Sequence, residues 1–187
     1  ALQEAYDAGQ RIFGESKVQE MTQKYEAMSK DIAWHFIGHL QTNKIKYMAP
    51  CVAKSHGVDS FKLLAEIDKQ AAKAGRCIPC LLQIHIAQEE TKFGFTFDEC
   101  REMLRQGEWK NLSHVAISGV MGMATNTDND EQIKKEFQSL GQFFNEIKQH
   151  CNFICIKPYN GFIVQFRHVY KQCRILTNRL TFKIIII

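Results

Sequence analysis

The sequence predicts an α/β fold in which strands and helices alternate around a parallel sheet. Short apolar runs rich in β-branched and aromatic residues recur through residues 1–150. Between them lie stretches whose apolar residues fall at three-and-four spacing. Glycine or proline marks many of the junctions. Such alternation implies right-handed βαβ units. Five strands suit either an open doubly wound sheet or part of a (β/α)8 barrel. No Gly-x-Gly-x-x-Gly run follows a strand, so a dinucleotide-binding fold has no support.

The elements follow in order. Ala1 to Asp7 has an amphipathic helical pattern, without the basic and apolar regions of a signal peptide. Arg11 to Gly14 is a short strand closing on glycine. Lys17 to Met28 places Val18, Met21, Tyr25 and Met28 on one helical face. Ile32 to Gly38 is a strand of large apolar residues, and the helical patch Asn43 to Met48 is stopped by Pro50. Val52 to His56 is the third strand. Ser60 can cap the next helix, with Leu63, Leu64, Ile67 and Ala71 facing inward and Gly75 as the stop. Cys80 to Ala87 is the strongest strand, Asp98 to Gln106 is helical, and Val115 to Met123 is the fifth strand. Asp128 or Asp130 opens the longest helix, with the stripe Ile133, Phe137, Leu140, Phe144 and Ile147.

Composition narrows the function classes. The chain has 187 residues, 45% of them hydrophobic, which is enough for one domain with a sizeable core. No apolar run approaches the roughly 18–20 residues needed to span a bilayer. The net charge of +4 arises in the tail, where residues 151–187 hold six Lys/Arg and no acid, leaving 18 basic and 20 acidic residues in 1–150. The basic character therefore belongs to the tail and gives no sign of a nucleic-acid surface on the body.

That tail is over half hydrophobic, lacks alanine and ends in four isoleucines. The acid content of the body would put about five acids in a continuation of this length. The tail is accordingly read as a segment foreign to the fold, such as a shifted reading frame or a misjoined end. The competing reading is a basic amphipathic anchor, which the lack of a sustained 3.6-residue period disfavours.

Several residues could carry chemistry. Seven scattered cysteines suit reduced thiols better than a disulfide framework. Cys77 and Cys80 lie at an odd offset entering a strand, which puts their sulfurs on opposite faces and reads as two buried thiols rather than a metal pair. In a parallel barrel, sites gather at the carboxyl ends of the strands. There the sequence places Gly14-Glu15-Ser16, Phe36-Ile37-Gly38-His39, His56-Gly57, Glu89 to Gly94, and Met121-Gly122-Met123. His35 is either a packing histidine or a cofactor contact. Glu15 is either an acid/base or a carboxylate at a helix N-terminus. His85 reads as structural. Lys92 either meets a phosphate or carboxylate, or is a solvated loop charge.

Four blocks make the chain resemble the pyridoxal phosphate homeostasis proteins: Glu4 to Glu20, Trp34 to Lys44, Thr91 to Phe95, and Gly119 to Ala124. The resemblance spans residues 1 to about 150. It implies a partial TIM (β/α)8 barrel of the alanine-racemase N-terminal type, formed by residues 1–150 and lacking the first and last strands. It further implies pyridoxal 5'-phosphate as cofactor, a cytoplasmic role in storing or delivering it, and no catalytic residues or metal. By match, Ser16, His35, Gly38, Lys92 and Met121 are the cofactor-binding positions, Ser16 standing where the family usually has asparagine. The family's Schiff-base lysine would precede Ala1, and its phosphate cup is not found in 151–187. Weak or absent cofactor binding is therefore the expectation for this chain. Implied partners are the cofactor and pyridoxal-phosphate-dependent apoenzymes, with no nucleic acid or membrane. Family members are monomers, but open sheet edges here would favour aggregation. The rival readings are a racemase-type enzyme of the same barrel, or a non-functional fragment.

Overall fold

The five expected strands form where the alternation puts them: β1 (Ile12–Glu15), β2 (Ala33–Phe36), β3 (Val52–Val58), β4 (Ile78–His85) and β5 (Val115–Met123). They pair in sequence order, each parallel to the next. A computed structural model describes residues 1–150, with side chains as far as residue 148. Beyond that it describes the backbone of β6 (Phe162–Phe166), β7 (Cys173–Leu176) and β8 (Thr181–Ile186).

The helices are α1 (Leu2–Asp7), α2 (Val18–Ala27), α3 (Ile45–Met48), α4 (Phe61–Lys73), α5 (Phe97–Gln106) and α6 (Asp130–His150). Local chemistry sets their ends. Ser60 accepts a hydrogen bond from the Leu63 amide at 3.3 Å, the expected cap of α4. Gly75, at φ +64°, follows the end of that helix. Helix α5 carries a capping box that the sequence reading missed, with Thr96 and Glu99 bonding to each other's backbone amides.

The expected stripes face the sheet. Val18 and Met21 of α2 and Leu63, Leu64, Ile67 and Ala71 of α4 are buried, as are Ile133, Leu140, Phe144 and Ile147 of α6. They form one continuous cluster with Phe13, Trp34, Phe36, Val52, Leu82 and Val120 of the strands. That cluster is the layer between strands and helices. Alternation then sends His35 and Gln83 to the other face, the barrel interior, and a register shift within β3 brings His56 there beside His35. Leu81 and Met121 are fully buried yet stand apart from the helix-side cluster, as this assignment requires.

Where the resemblance leads to an incomplete ring, the sheet is closed. Strand β6 pairs parallel with β5, β7 antiparallel with β6 and β8, and β8 parallel with β1. The tail thus adds strands to the same ring as the body. Antiparallel neighbours need only short connections, whereas a parallel crossover needs a dozen residues or more. This is how the ring closes without further βα units. No open edge remains on β1, so the expected ground for aggregation is removed. A second correction concerns Cys77, which was expected to be buried. It is exposed, because β4 begins one residue later at Ile78, while Cys80 lies inside the strand and is buried.

Candidate functional site

The carboxyl ends of β1 to β4 close in on one another through glycines. A Cβ on Gly38 would lie 2.1 Å from the Ser16 carbonyl oxygen, and one on Gly57 would lie 2.7 Å from the Gly38 carbonyl oxygen. Gly57 also faces the Gln83 Oε1 at 3.2 Å from its Cβ position. Gln83 in turn donates from Nε2 to the Phe93 carbonyl at 2.8 Å, which ties the β4–α5 loop to the barrel. Gly94, at φ +140°, lies so close to His85 that a Cβ would come within 2.5 Å of its amide nitrogen. On the rim, His39 stacks on Phe93 with ring centroids 3.8 Å apart, and its Nδ1 lies 3.3 Å from the Asp59 carboxylate.

Beneath this rim sits a buried polar cluster. His35 Nδ1 and His56 Nε2 are 3.0 Å apart, so one ring donates and the other accepts. Lys54 is in register with His35 across the β2–β3 pair and therefore shares its face. Burial, with help from the Lys54 charge, pushes the His35 pKa down to about 3. Burial and then the His35 and Lys54 charges hold His56 well below its usual value. Burial also pushes Lys54 down to about 8. Both imidazoles are consequently neutral at physiological pH, and Lys54 is the cation of this cluster. The Nδ1 of His56 is buried with no hydrogen-bond partner.

The sequence-predicted positions divide. Ser16 and Gly38 meet through backbone, although the Ser16 side chain is exposed. His35 and Met121 are buried on the inner face, where Met121 is in register with Gln83. Lys92 lies half-buried on the β4–α5 loop, its amide 3.2 Å from the Glu89 carbonyl, and no contact ties it to His35 or Met121. Sequence reasoning missed Lys54 and Gln83 and treated His56 only as a strand end. A spacing of two puts Lys54 and His56 on one face, but Val52 and Val58, at the same spacing, lie in the helix-side cluster because the strand registers shift within β3, so no regular period carried the signal. Glu15 resolves to the structural alternative. Its carboxylate accepts from the Ser16 and Lys17 amides, just ahead of α2, at 2.7 and 3.2 Å and pairs with the ammonium of Lys24 within that helix. His85 is likewise structural, with Nε2 2.9 Å from the Glu89 carbonyl.

A separate cleft of about 390 Å³ lies outside the barrel, lined by Phe61, Phe95, Met103 and acidic residues of α5. The chemistry-bearing side chains are not there. Among the described residues no group of three or more metal-ligating side chains assembles, and no helix is long and apolar enough to cross a membrane.

A ring whose strands β1 to β6 run parallel, with polar residues on its inner face, defines a class of barrel, and residues 1–161 match the family profile of the alanine racemase N-terminal domain. The chain belongs to that family, on its branch of pyridoxal phosphate homeostasis proteins. It is 34% identical over 152 residues to the pyridoxal phosphate homeostasis protein of Aquifex aeolicus, covering 81% of this chain and 66% of that one. It is 35% identical to that of Helicobacter pylori, covering 79% and 67%. The chain thus spans about two thirds of these relatives' length. Among solved structures it resembles PipY of Synechococcus elongatus without PLP, at 32% identity and a TM-score of 0.75, covering 80% and 69% of the two chains. PipY with PLP bound gives 31% identity and a TM-score of 0.71, with the same coverage. The alanine racemase of Clostridium difficile shares the fold at a TM-score of 0.65 and 12% identity, covering 84% and 40%.

Proposed function

We propose that this chain holds pyridoxal 5'-phosphate at the mouth of the barrel and serves in cytoplasmic storage and delivery of the cofactor, without catalysis of its own. The observation carrying this reading is the likeness to PipY with PLP bound, a structure that matches four-fifths of the chain. The interior suits an aromatic aldehyde of this kind. It offers an unpartnered buried imidazole nitrogen on His56, an amine on Lys54 and the apolar wall of Met121. When bound, the cofactor supplies an aldehyde that condenses reversibly with amines.

In this reading His35 and Met121 hold the ring from the inner face. The glycine contacts at Gly38 and Ser16 fix the width of the mouth. Lys92, on the loop that Gln83 anchors, meets the anionic end of the ligand. The neutral state of both imidazoles leaves their nitrogens free to accept as well as donate. Apoenzymes that need the cofactor are the proposed recipients, and the chain acts as a monomer.

Equilibrium dialysis of the full chain against pyridoxal phosphate, with pyridoxal as a competitor, tests the reading. Weak but saturable retention, reduced in His35→Ala, is the expected result. No retention above that of an unrelated protein would overturn it. Racemisation of alanine by the loaded chain would instead favour the enzyme reading, for which the described residues show no built catalytic set.

A further inference from the structure

The cleft outside the barrel begins where the mouth ends. Asp59, which meets His39 on the rim, stands two residues before Phe61 at the start of α4. Phe93, which stacks on His39, stands two residues before Phe95. Phe61 and Phe95 both line the cleft, and Met103 of α5 completes its apolar floor. Phe95 and Met103 belong to the hydrophobic core, so the floor is anchored from beneath. Polar side chains of α5, and of Glu108 just beyond it, make the rest of the wall.

That wall carries one sign of charge. Among the described residues Asp98, Glu99, Glu102 and Glu108 line it, and no lysine, arginine or histidine does. Hydrogen bonds from the Thr96 amide and hydroxyl hold the Glu99 carboxyl below the usual carboxylate range, and the Arg105 guanidinium does the same for Glu102. Both are therefore ionised at neutral pH. The arginines of α5 offset little of this charge. Arg101 gives two nitrogens to Glu146 of α6, at 2.7 and 2.8 Å, and one to Asp98. Arg105 meets Glu102 at the surface, with 76% of its side chain exposed, where such pairs are weak. An apolar floor under an anionic wall repels nucleic acid and anionic membranes and suits a cation with an apolar body.

We propose that the cleft docks a basic amphipathic helix of a partner protein, its apolar side chains on Phe61, Phe95 and Met103 and its lysines or arginines against the carboxylates of α5. Strand addition is not open to the partner, because β3, β4 and β5 are each paired on both sides. A helix laid in a groove remains. Helix α5 has ten residues, which offers a track about 15 Å long. About three turns of partner helix cover it, with anchors at i, i+3 or i+4, and i+7. A volume of about 390 Å³ seats those few anchors rather than a broad interface, as in a transient encounter. Docking there sets the partner beside the barrel mouth. That the partner is a recipient of the cofactor rests on the function proposed above, whereas the docking surface does not.

Three synthetic helical peptides of equal length test this against the full chain. The first has leucine anchors and lysines on its polar face. The second exchanges lysine for glutamate, and the third keeps lysine but exchanges leucine for alanine, which removes the anchors and keeps the helix. Fluorescence anisotropy reads affinity, and amide NMR shifts locate the contact. The leucine–lysine peptide is expected to bind saturably, at least tenfold tighter than either of the others, and to shift amides of α5 and of residues 59–61 and 93–95. Asp98→Asn combined with Glu102→Gln is expected to weaken it at least threefold. Equal binding of the lysine and glutamate peptides overturns the proposal. So does binding that survives the loss of leucine or of the two carboxylates, shifts centred elsewhere, or no binding at all. Dialysis separates this failure from that of the cofactor reading. Peptide binding by a chain that retains no pyridoxal phosphate sinks the cofactor reading alone, and retention without peptide binding sinks the docking surface alone.

Discussion

Gly38 shows what one missing methyl group permits. Its Cβ position falls 2.1 Å from a backbone oxygen of Ser16, which cannot swing away as a flexible side chain could. Gly38→Ala is therefore expected to cost about 1–3 kcal/mol, read as a lower urea midpoint, and to weaken pyridoxal phosphate retention along with it. His35 acts through its proton. Its folded pKa of about 3 lies below the ordinary value of 6.5, so as pH falls the unfolded chain takes up the proton first. The stability due to the neutral ring is complete above pH 6.5 and drains away as pH drops toward 3. By pH 5 this group alone accounts for a loss of about 2 kcal/mol. His56 shifts in the same direction. Chemical unfolding at pH 7.5 and pH 5 should show that loss, and His35→Gln should flatten it. An equal pH slope in the variant would mean that the burial of His35 is not what makes the fold acid-sensitive.

At the scale of elements, α2 and α5 solve the same problem differently. The first amides of a helix lack partners within it. Helix α5 meets this with the Thr96–Glu99 capping box. Helix α2 has no side-chain cap from Lys17; instead Glu15, the last residue of β1, serves the amides of Ser16 and Lys17 and holds Lys24 from the next turn. Thr96→Ala should cost about 1 kcal/mol. Glu15→Gln keeps the shape but loses the charge opposite Lys24, and should cost between about 1 and 3 kcal/mol. Differential scanning calorimetry on both variants ranks them. A Glu15→Gln protein of unchanged stability but lost ligand retention would return Glu15 to the chemical role that its strand-end position first suggested.

For the whole molecule, the question is how a five-strand βα body becomes a ring. Pairing of Phe13 with Ile185 and of Gly14 with Ile186 supplies the last seam. Ending the chain after residue 176 removes β8 and leaves β1 and β7 as open edges. Light scattering should then show concentration-dependent association, where the full chain stays monodisperse. A monodisperse shortened chain would show that the seam does not hold the body closed. The break in composition after residue 150 still supports the proposed division into a barrel body, 1–150, and a compositionally separate tail, 151–187. Limited proteolysis that trims the tail and spares the body would agree with it.

The period of the apolar residues by itself determined the five strands, the buried faces of α2, α4 and α6, and the class of fold, because those patterns answer to local geometry and one hydrophobic layer. The Trp34–Lys44 run likewise fixed the family. Only the tertiary structure could decide the role of Glu15, since helix amides and the Lys24 ammonium had to converge on it before it could act as a cap. The same holds for Lys54. A lysine in an apolar strand is ambiguous in sequence, and its lowered pKa follows from the depth of burial that folding gives it. Ring closure was equally invisible, because β6 to β8 carry no βα rhythm, and the pairing of β8 with β1 joins the two ends of the chain through contacts that no local pattern encodes.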